Sequence, residues 1–209
     1  SEVVKRLHLT VNYSVREGLR TADLYGRSPI EVDFINDNSK QKLSLEVTPL
    51  RNGKIELTDF EDKFVTRQET KRVILAEYGD TVATPVGQVV VHKTLFMDST
   101  YLKKPITVIK NSLAATTNAY RAAVKSDVAN KQASIVTISM NNSVPRRAED
   151  VINTLIAVYE EDAIADKRQL SVVTADFIKE RMQVIGRELG DVDRDIEDIK
   201  KSNKMIDIT

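Results

Sequence analysis

The sequence contains no cysteine and only two histidines, His8 and His92, which lie in separate segments. Without cysteine, the chain forms no disulfide bond and no zinc site with thiolate ligands. Neither histidine has a carboxylate at the helical spacing of a metal site, which favours a structural or exposed role for both. We therefore predict that the chain holds no metal and no cofactor.

Excess charge of one sign is also missing, since 31 basic residues balance 31 acidic residues. A nucleic-acid-binding domain or a polybasic membrane arm usually carries an excess of lysine and arginine. No apolar run reaches the ~18 residues of a transmembrane helix. We expect this piece to be soluble and to bind no nucleic acid.

The motifs of common enzyme sites do not occur. The sequence has no glycine-rich phosphate loop and no Gly-x-Ser-x-Gly sequence. The stretch DVDRDIEDI starts like a calcium-binding loop, but Ile196 replaces the required glycine and Ser202 replaces the bidentate glutamate. Arg146 and Arg147 are compatible with binding a sugar phosphate or with pairing to acidic residues of a neighbouring segment. We predict that this chain is not an enzyme.

Hydrophobic spacing along residues 1–144 predicts an α+β body. Residues 1–9 and 15–25 have helical spacing, and the second of these segments ends at Gly26, a residue typical of helix C-termini. Residues 28–95 alternate between apolar and polar residues and contain an Asn-Gly turn signal. We interpret them as a β-rich insertion in the body.

The segment from Ile106 to Met140 predicts how the sheet is arranged. A strand at 106–110 is followed by a helical pattern through Leu113, Tyr120 and Val124, and then by a strand that ends near Met140. This β-α-β order predicts a mixed sheet with helices packed on one face. The strand that ends near Met140 is expected to lie beside the strand that starts at Ile106.

Residues 145–209 are predicted to form one long helix that completes the body and then projects as a coiled coil. The sequence NNS precedes Pro145, and these residue types favour a helix N-cap, while proline suits the first helical turn. A helix from Pro145 to Lys204 would be ~90 Å long. Its first turns are expected to cover the sheet through four apolar residues, Val151, Ile152, Leu155 and Tyr159.

A narrow apolar stripe follows, with separations that alternate between four and three residues. This spacing is typical of the a/d seam of a coiled coil, in which a lone polar residue at an a position often fixes the register. The alternative is one amphipathic helix lying on its own domain, but such helices usually have a wider stripe. We call these residues the heptad stripe: Ile178, Met182, Ile185, Leu189, Val192, Ile196, Ile199, Asn203 and Ile206.

Residues 142–162, NSVPRRAEDVINTLIAVYEED, resemble the strand-to-helix junction of the polysaccharide co-polymerases, the chain-length determinants of the Wzz/Wzc type. The family motif of proline, alanine, asparagine and an aromatic residue matches Pro145, Ala148, Asn153 and Tyr159. Residues 174–208 resemble the coiled-coil segment that follows in the family. Residues 3–32 resemble the membrane-proximal half of its kinase-linked exopolysaccharide branch.

The resemblance implies an α/β domain on the periplasmic face of the bacterial inner membrane, anchored by spans outside this chain. Such domains form homo-oligomers that act with a membrane polymerase on nascent polysaccharide. They regulate chain length and export of capsule, exopolysaccharide or lipopolysaccharide O-antigen. Some relatives of this kind also carry a cytoplasmic tyrosine autokinase domain after the second span.

A second interpretation is that the chain is a periplasmic coiled-coil adaptor or scaffold of a membrane export complex. In either case we expect a piece of a longer protein. The chain starts without methionine in a helical pattern, and it ends at KMIDIT without a capping glycine or proline.

Overall fold

The computed structural model describes residues 1–35, 41–63, 65–130 and 133–206. These residues form four α-helices, α1 (Glu2–Arg6), α2 (Arg67–Thr70), α3 (Leu113–Ala123) and α4 (Pro145–Ile206). The strands are β1 (Val11–Glu17), β2 (Arg20–Asp23), β3 (Ile30–Ile35), β4 (Leu43–Pro49), β5 (Lys54–Glu61), β6 (Ile74–Glu77), β7 (Thr81–Thr84), β8 (Gly87–Lys93), β9 (Ile106–Lys110), β10 (Val124–Asn130) and β11 (Ala133–Met140).

The chain divides into two compact units, Ser1–Ile156 and Ala157–Thr209. The first unit contains all eleven strands of the described residues, arranged in three sheets. The largest has six strands in the order β2-β1-β9-β4-β5-β6, and a three-stranded sheet has the order β3-β8-β7. Strands β10 and β11 form a separate two-stranded sheet. The described part of the second unit is the remainder of α4.

The main core is formed by alternating apolar residues of the two larger sheets. In β4, Leu45 and Val47 are fully buried, and in β8, Val89 and Val91 are fully buried in the same apolar group. Phe60 of β5 is the largest fully buried side chain of this core. Burial of apolar side chains stabilises by roughly 25 cal/mol per Å², so this core provides the main hydrophobic stabilisation of the first unit.

A smaller apolar group involves the helices. Its buried members are Val4 of α1, Val151 of α4 and Leu9, which lies between α1 and β1. Tyr120 of α3 and Met140 of β11 pack against them. The helical residues therefore have a core of their own beside the sheet core.

The α+β class and the long C-terminal helix are confirmed. The stretch 28–95 is rich in strands as predicted, and the strand predicted at 106–110 is β9. Strands from the predicted insertion at 28–95 contribute to both larger sheets, since β4 pairs with β9 while β3 pairs with β8.

The helix predicted for residues 15–25 is wrong, because this segment forms the hairpin β1–β2. Glu17 pairs with Arg20, which leaves a two-residue turn that starts at Gly18 with φ +62°. A glycine with positive φ at the first turn position matches the twist of an antiparallel hairpin. The alternation of Val11, Tyr13 and Val15 then fits a strand.

The mixed sheet is also wrong, because all pairings of the described strands are antiparallel. The prediction assumed that the strand ending at Met140 lies beside the strand starting at Ile106. Instead, α3 ends at Ala123, Val124 starts β10, and β10 pairs with β11. Strand β11 therefore belongs to a separate antiparallel pair and does not return to the large sheet as a parallel neighbour of β9.

We predict that Phe60→Ala lowers the free energy of unfolding by roughly 3–5 kcal/mol, because it leaves a cavity at a position with 0% exposure. The matched control is Leu75→Ala on strand β6, where the side chain is 62% exposed and the loss should stay below about 1 kcal/mol. Urea unfolding measures both. Equal losses in the two variants would contradict the assignment of Phe60 to the core.

Candidate functional site

The start of α4 is fixed by a turn that Asn142 stabilises. The Asn142 side-chain oxygen accepts a hydrogen bond from the backbone N–H of Val144 at 2.9 Å. The backbone N–H of Arg147 then donates to the carbonyl of Val144 at 3.0 Å. Asparagine favours such local turns, and Pro145 needs no partner for a backbone N–H in the first helical turn.

Arg147 is the only buried charged residue among the described residues, and 7% of its surface is exposed to solvent. Its Nη2 atom donates to Oδ1 of Asp23 at 2.8 Å, and its guanidinium carbon lies 4.6 Å from the centre of the Tyr25 ring. The backbone N–H of Tyr25 donates to the same Asp23 oxygen at 2.9 Å. An ion pair and a cation–π contact thus compensate for removing the guanidinium from water.

A second contact joins the same two segments, because the Tyr25 hydroxyl donates to Oδ2 of Asp150 at 3.0 Å. Burial and this hydrogen bond to a carboxylate raise the pKa of Tyr25 to about 12, although the charge of Arg147 acts in the opposite direction. We call Asp23, Tyr25, Arg147 and Asp150 the junction network. It attaches the first turns of α4 to the end of the β1–β2 hairpin.

The two arginines therefore have different surroundings. Arg147 pairs with an acidic residue of a neighbouring segment, which was one of the two roles open from the sequence. The exposed Arg146 extends its side chain past Gly26, where a Cβ atom would lie 3.7 Å from Nε. The sequence did not predict a role for Asp23, Tyr25 or Asp150, because contacts between residues more than 120 positions apart produce no periodic pattern in the sequence.

The family-motif residues lie in different environments along α4. Ala148 is half-buried beside an open pocket that Met140 and Pro145 also line. Pro145 and Asn153 are exposed, and Tyr159 is 73% exposed. The predicted burial of Tyr159 is therefore wrong. Of the other residues expected to cover the sheet, Val151 is buried within the helical apolar group, whereas Ile152 and Leu155 are half-buried.

The heptad stripe lies on the part of α4 that forms the second unit. Seven of its nine residues have described side chains, and these are between 43% and 68% exposed. The side chains of Asn203 and Ile206 lie outside the described set. In water, an apolar row of this kind favours contact with another apolar surface. The exposed members are Ile178, Met182, Ile185, Leu189, Val192, Ile196 and Ile199.

Neither a scan against models of known protein families nor a search of curated proteins finds a match to this chain. Among the residues that the structure describes, no helix combines the length and hydropathy that a membrane span needs. Within the same residues, no group of three or more histidine, aspartate or glutamate side chains is arranged to hold a metal ion.

We predict that Asp23→Asn lowers the free energy of unfolding by roughly 2–4 kcal/mol, because it leaves the Arg147 charge buried without its counter-charge. Adding Arg147→Met should recover part of this loss, since the buried charge is then removed as well. The matched control is Asp191→Asn, which breaks an exposed pair with Arg194 and should cost less than about 1 kcal/mol. Urea unfolding of all variants measures the coupling, and no loss in Asp23→Asn would contradict the buried pair.

We predict that stability falls as pH rises between about 10 and about 12, because the folded chain retains the Tyr25 proton that the unfolded chain releases near pH 10. The contribution is fully present below pH ~10 and is lost as pH rises through the folded pKa. Tyr25→Phe should therefore show a shallower fall than the parent chain in urea unfolding at several pH values. The exposed Tyr159→Phe serves as the control, and identical slopes for Tyr25→Phe and the parent would refute the assignment.

Proposed function

We propose that this chain is the extracytoplasmic domain of a polysaccharide co-polymerase, which regulates the length and export of a bacterial surface polysaccharide. The observation that carries the proposal is α4, a single helix of 62 residues that directly follows a strand and a proline turn and carries the heptad stripe. The turn and the first part of this helix coincide with residues 142–162, the segment that resembles the strand-to-helix junction of the family.

The length of α4 argues for a role in assembly. Helices of globular domains rarely exceed about 25 residues, and longer helices with a narrow a/d stripe usually pair with another helix. Seven exposed apolar side chains in one row leave surface in water at a cost of roughly 25 cal/mol per Å². Pairing of this row with a second helix, as a coiled coil, removes that cost.

The junction network supports the same role. A helix whose C-terminal part binds a partner must be attached firmly to its own domain at its N-terminal end. The junction network provides this attachment. Arg147 forms an ion pair with Asp23 and lies over the ring of Tyr25, and the Tyr25 hydroxyl donates to Asp150. In the proposed arrangement, the helices form a layer on one face of the large sheet. The domain acts by assembly with a membrane polymerase at the periplasmic face of the inner membrane, and it catalyses no reaction itself.

We predict that the chain self-associates through the heptad stripe. Replacing Ile185, Leu189 and Ile196 together by serine should abolish this association and leave the first unit folded, because none of the three lies in that unit. The matched control replaces three other exposed apolar residues of α4, Leu170, Val173 and Phe177, by serine. These do not belong to the heptad stripe and should preserve association.

Sedimentation equilibrium at matched concentrations measures the association, and circular dichroism checks the fold. A monomeric parent chain, or equal loss of association in both triple variants, would contradict an assembly role for the stripe.

At the level of function, deleting this domain from its parent protein should change the ladder of polymer lengths on a gel. An unchanged ladder would refute the proposed co-polymerase.

A further inference from the structure

The first unit contains an open cavity of about 470 Å³ between α3 and the start of the large sheet. Its size lies within the range of small-molecule sites, which is roughly 300–1,000 Å³. Half of its lining residues are apolar and the other half are polar. The cavity is lined by Leu9, Asn12, Asn111, Ala115, Thr116, Ala119, Tyr120, Ala123, Met140 and Asn142.

Three asparagine residues from three separate segments line this cavity. Asn12 belongs to β1, Asn111 follows β9, and Asn142 follows β11. The backbone N–H of Asn111 donates to the carbonyl of Thr10 at 2.8 Å, so Asn111 is held two residues from Asn12 across the β1–β9 pair. The pairing of these two strands thus brings Asn12 and Asn111 near each other in the lining of the cavity.

The carboxamides have unused hydrogen-bonding capacity. Among the described contacts, the side chains of Asn12 and Asn111 have no hydrogen-bond partner in the protein, although both residues are half-buried. The Asn142 oxygen accepts one bond from Val144, which leaves its amino group for another partner. Each carboxamide offers an acceptor and two donors, and half-buried polar groups are stabilised when these are paired.

No lysine, arginine, aspartate, glutamate or histidine is found among the ten lining residues. A phosphate or carboxylate ligand is normally bound by cationic side chains or by a helix N-terminus. None of the lining side chains provides a positive charge, and the N-terminus of α3 is capped by Ser112, whose hydroxyl oxygen accepts from the backbone N–H of Ala115 at 3.2 Å. The chemistry of the lining therefore favours a neutral ligand that has several hydroxyl or amide groups.

We propose that this cavity binds a neutral sugar unit, an inference that rests on the proposed role in polysaccharide synthesis. Neighbouring hydroxyl groups of a sugar both donate and accept, which matches the donor and acceptor atoms of a carboxamide. The apolar C–H face of a sugar ring needs an apolar or aromatic contact, which Tyr120, Leu9 and Met140 offer. The small residues Ala115, Ala119 and Ala123 recur every four residues on α3 and keep one wall of the cavity open.

The geometry favours a sugar over an extended peptide. A peptide that adds to a sheet needs a free strand edge. In the large sheet, β1 lies between β2 and β9, and β9 lies between β1 and β4, so this sheet has no edge strand beside the cavity. The polar groups also converge from separate segments and do not form the linear row that a peptide backbone requires.

The test is saturation-transfer NMR of the whole chain with D-glucose, D-galactose and N-acetyl-D-glucosamine at millimolar concentrations. At least one sugar should give a signal, and Asn12→Ala and Asn111→Ala should each weaken its binding about fivefold or more, which corresponds to the loss of one hydrogen bond. Ala119→Leu should abolish binding, because an exposed helical alanine is replaced by a side chain that fills the cavity. The control is Asn118→Ala, which removes an exposed carboxamide of α3 that does not line the cavity.

Thermal unfolding checks that each variant is folded. The proposal is overturned if none of the three sugars gives a signal, or if Ala119→Leu and Asn118→Ala bind equally well. It is also overturned if the signals of the three lining asparagines shift with protein concentration alone, since the cavity would then be an interface between copies. The outcome is separable from that of the proposed function. A changed polymer ladder without sugar binding refutes only the cavity, and sugar binding with an unchanged ladder refutes only the co-polymerase.

Discussion

The buried charge of Arg147 is the constraint on which the arrangement of the first unit depends. A guanidinium that is 7% exposed is tolerated only where an opposite charge and further contacts replace water. Asp23 and Tyr25 provide them from the end of the β1–β2 hairpin. Because β1 pairs with β9 inside the large sheet, the position of this hairpin is set by the sheet. The first turns of α4 are therefore fixed relative to the large sheet through the junction network, in which Arg147 carries the buried charge.

The same hairpin joins the two apolar groups of this unit. Leu24 is buried in the sheet core, while the next residue, Tyr25, packs against the helical group around Val4 and Val151. The polar contacts of Asp23 and the apolar contacts of Leu24 and Tyr25 come from three consecutive residues. Loss of the ion pair should therefore loosen the helical group before the sheet core, because the sheet keeps its own fully buried residues.

The sequence predicted those elements whose signals are local. Alternation identified β3, β4 and β9, and the heptad spacing and proline turn identified α4. The helix predicted at 15–25 failed because Val15, Leu19 and Ala22 have helical spacing and Gly26 resembles a helix C-terminus, whereas the backbone conformation of Gly18 favours the hairpin. Strand β10, VKSDVAN, continues directly from α3 and is largely polar, so no change of period marks it. The junction network and the cavity depend on residues that only the pairing of distant strands brings together, and no periodic pattern contains that information.

The central claim is that the heptad stripe of α4 is a surface through which copies of this chain assemble. The absence of cysteine allows a direct test, since a single introduced cysteine is the only thiol in the chain. Leu189→Cys places it on the stripe, and Arg187→Cys places it two residues away, at an outer position of the heptad repeat. Both variants are oxidised at matched concentration, and non-reducing electrophoresis then measures how much of each forms a disulfide-linked dimer. The account predicts a cross-linked dimer for Leu189→Cys and little for Arg187→Cys, whereas equal cross-linking of the two variants, or none in either, would contradict it.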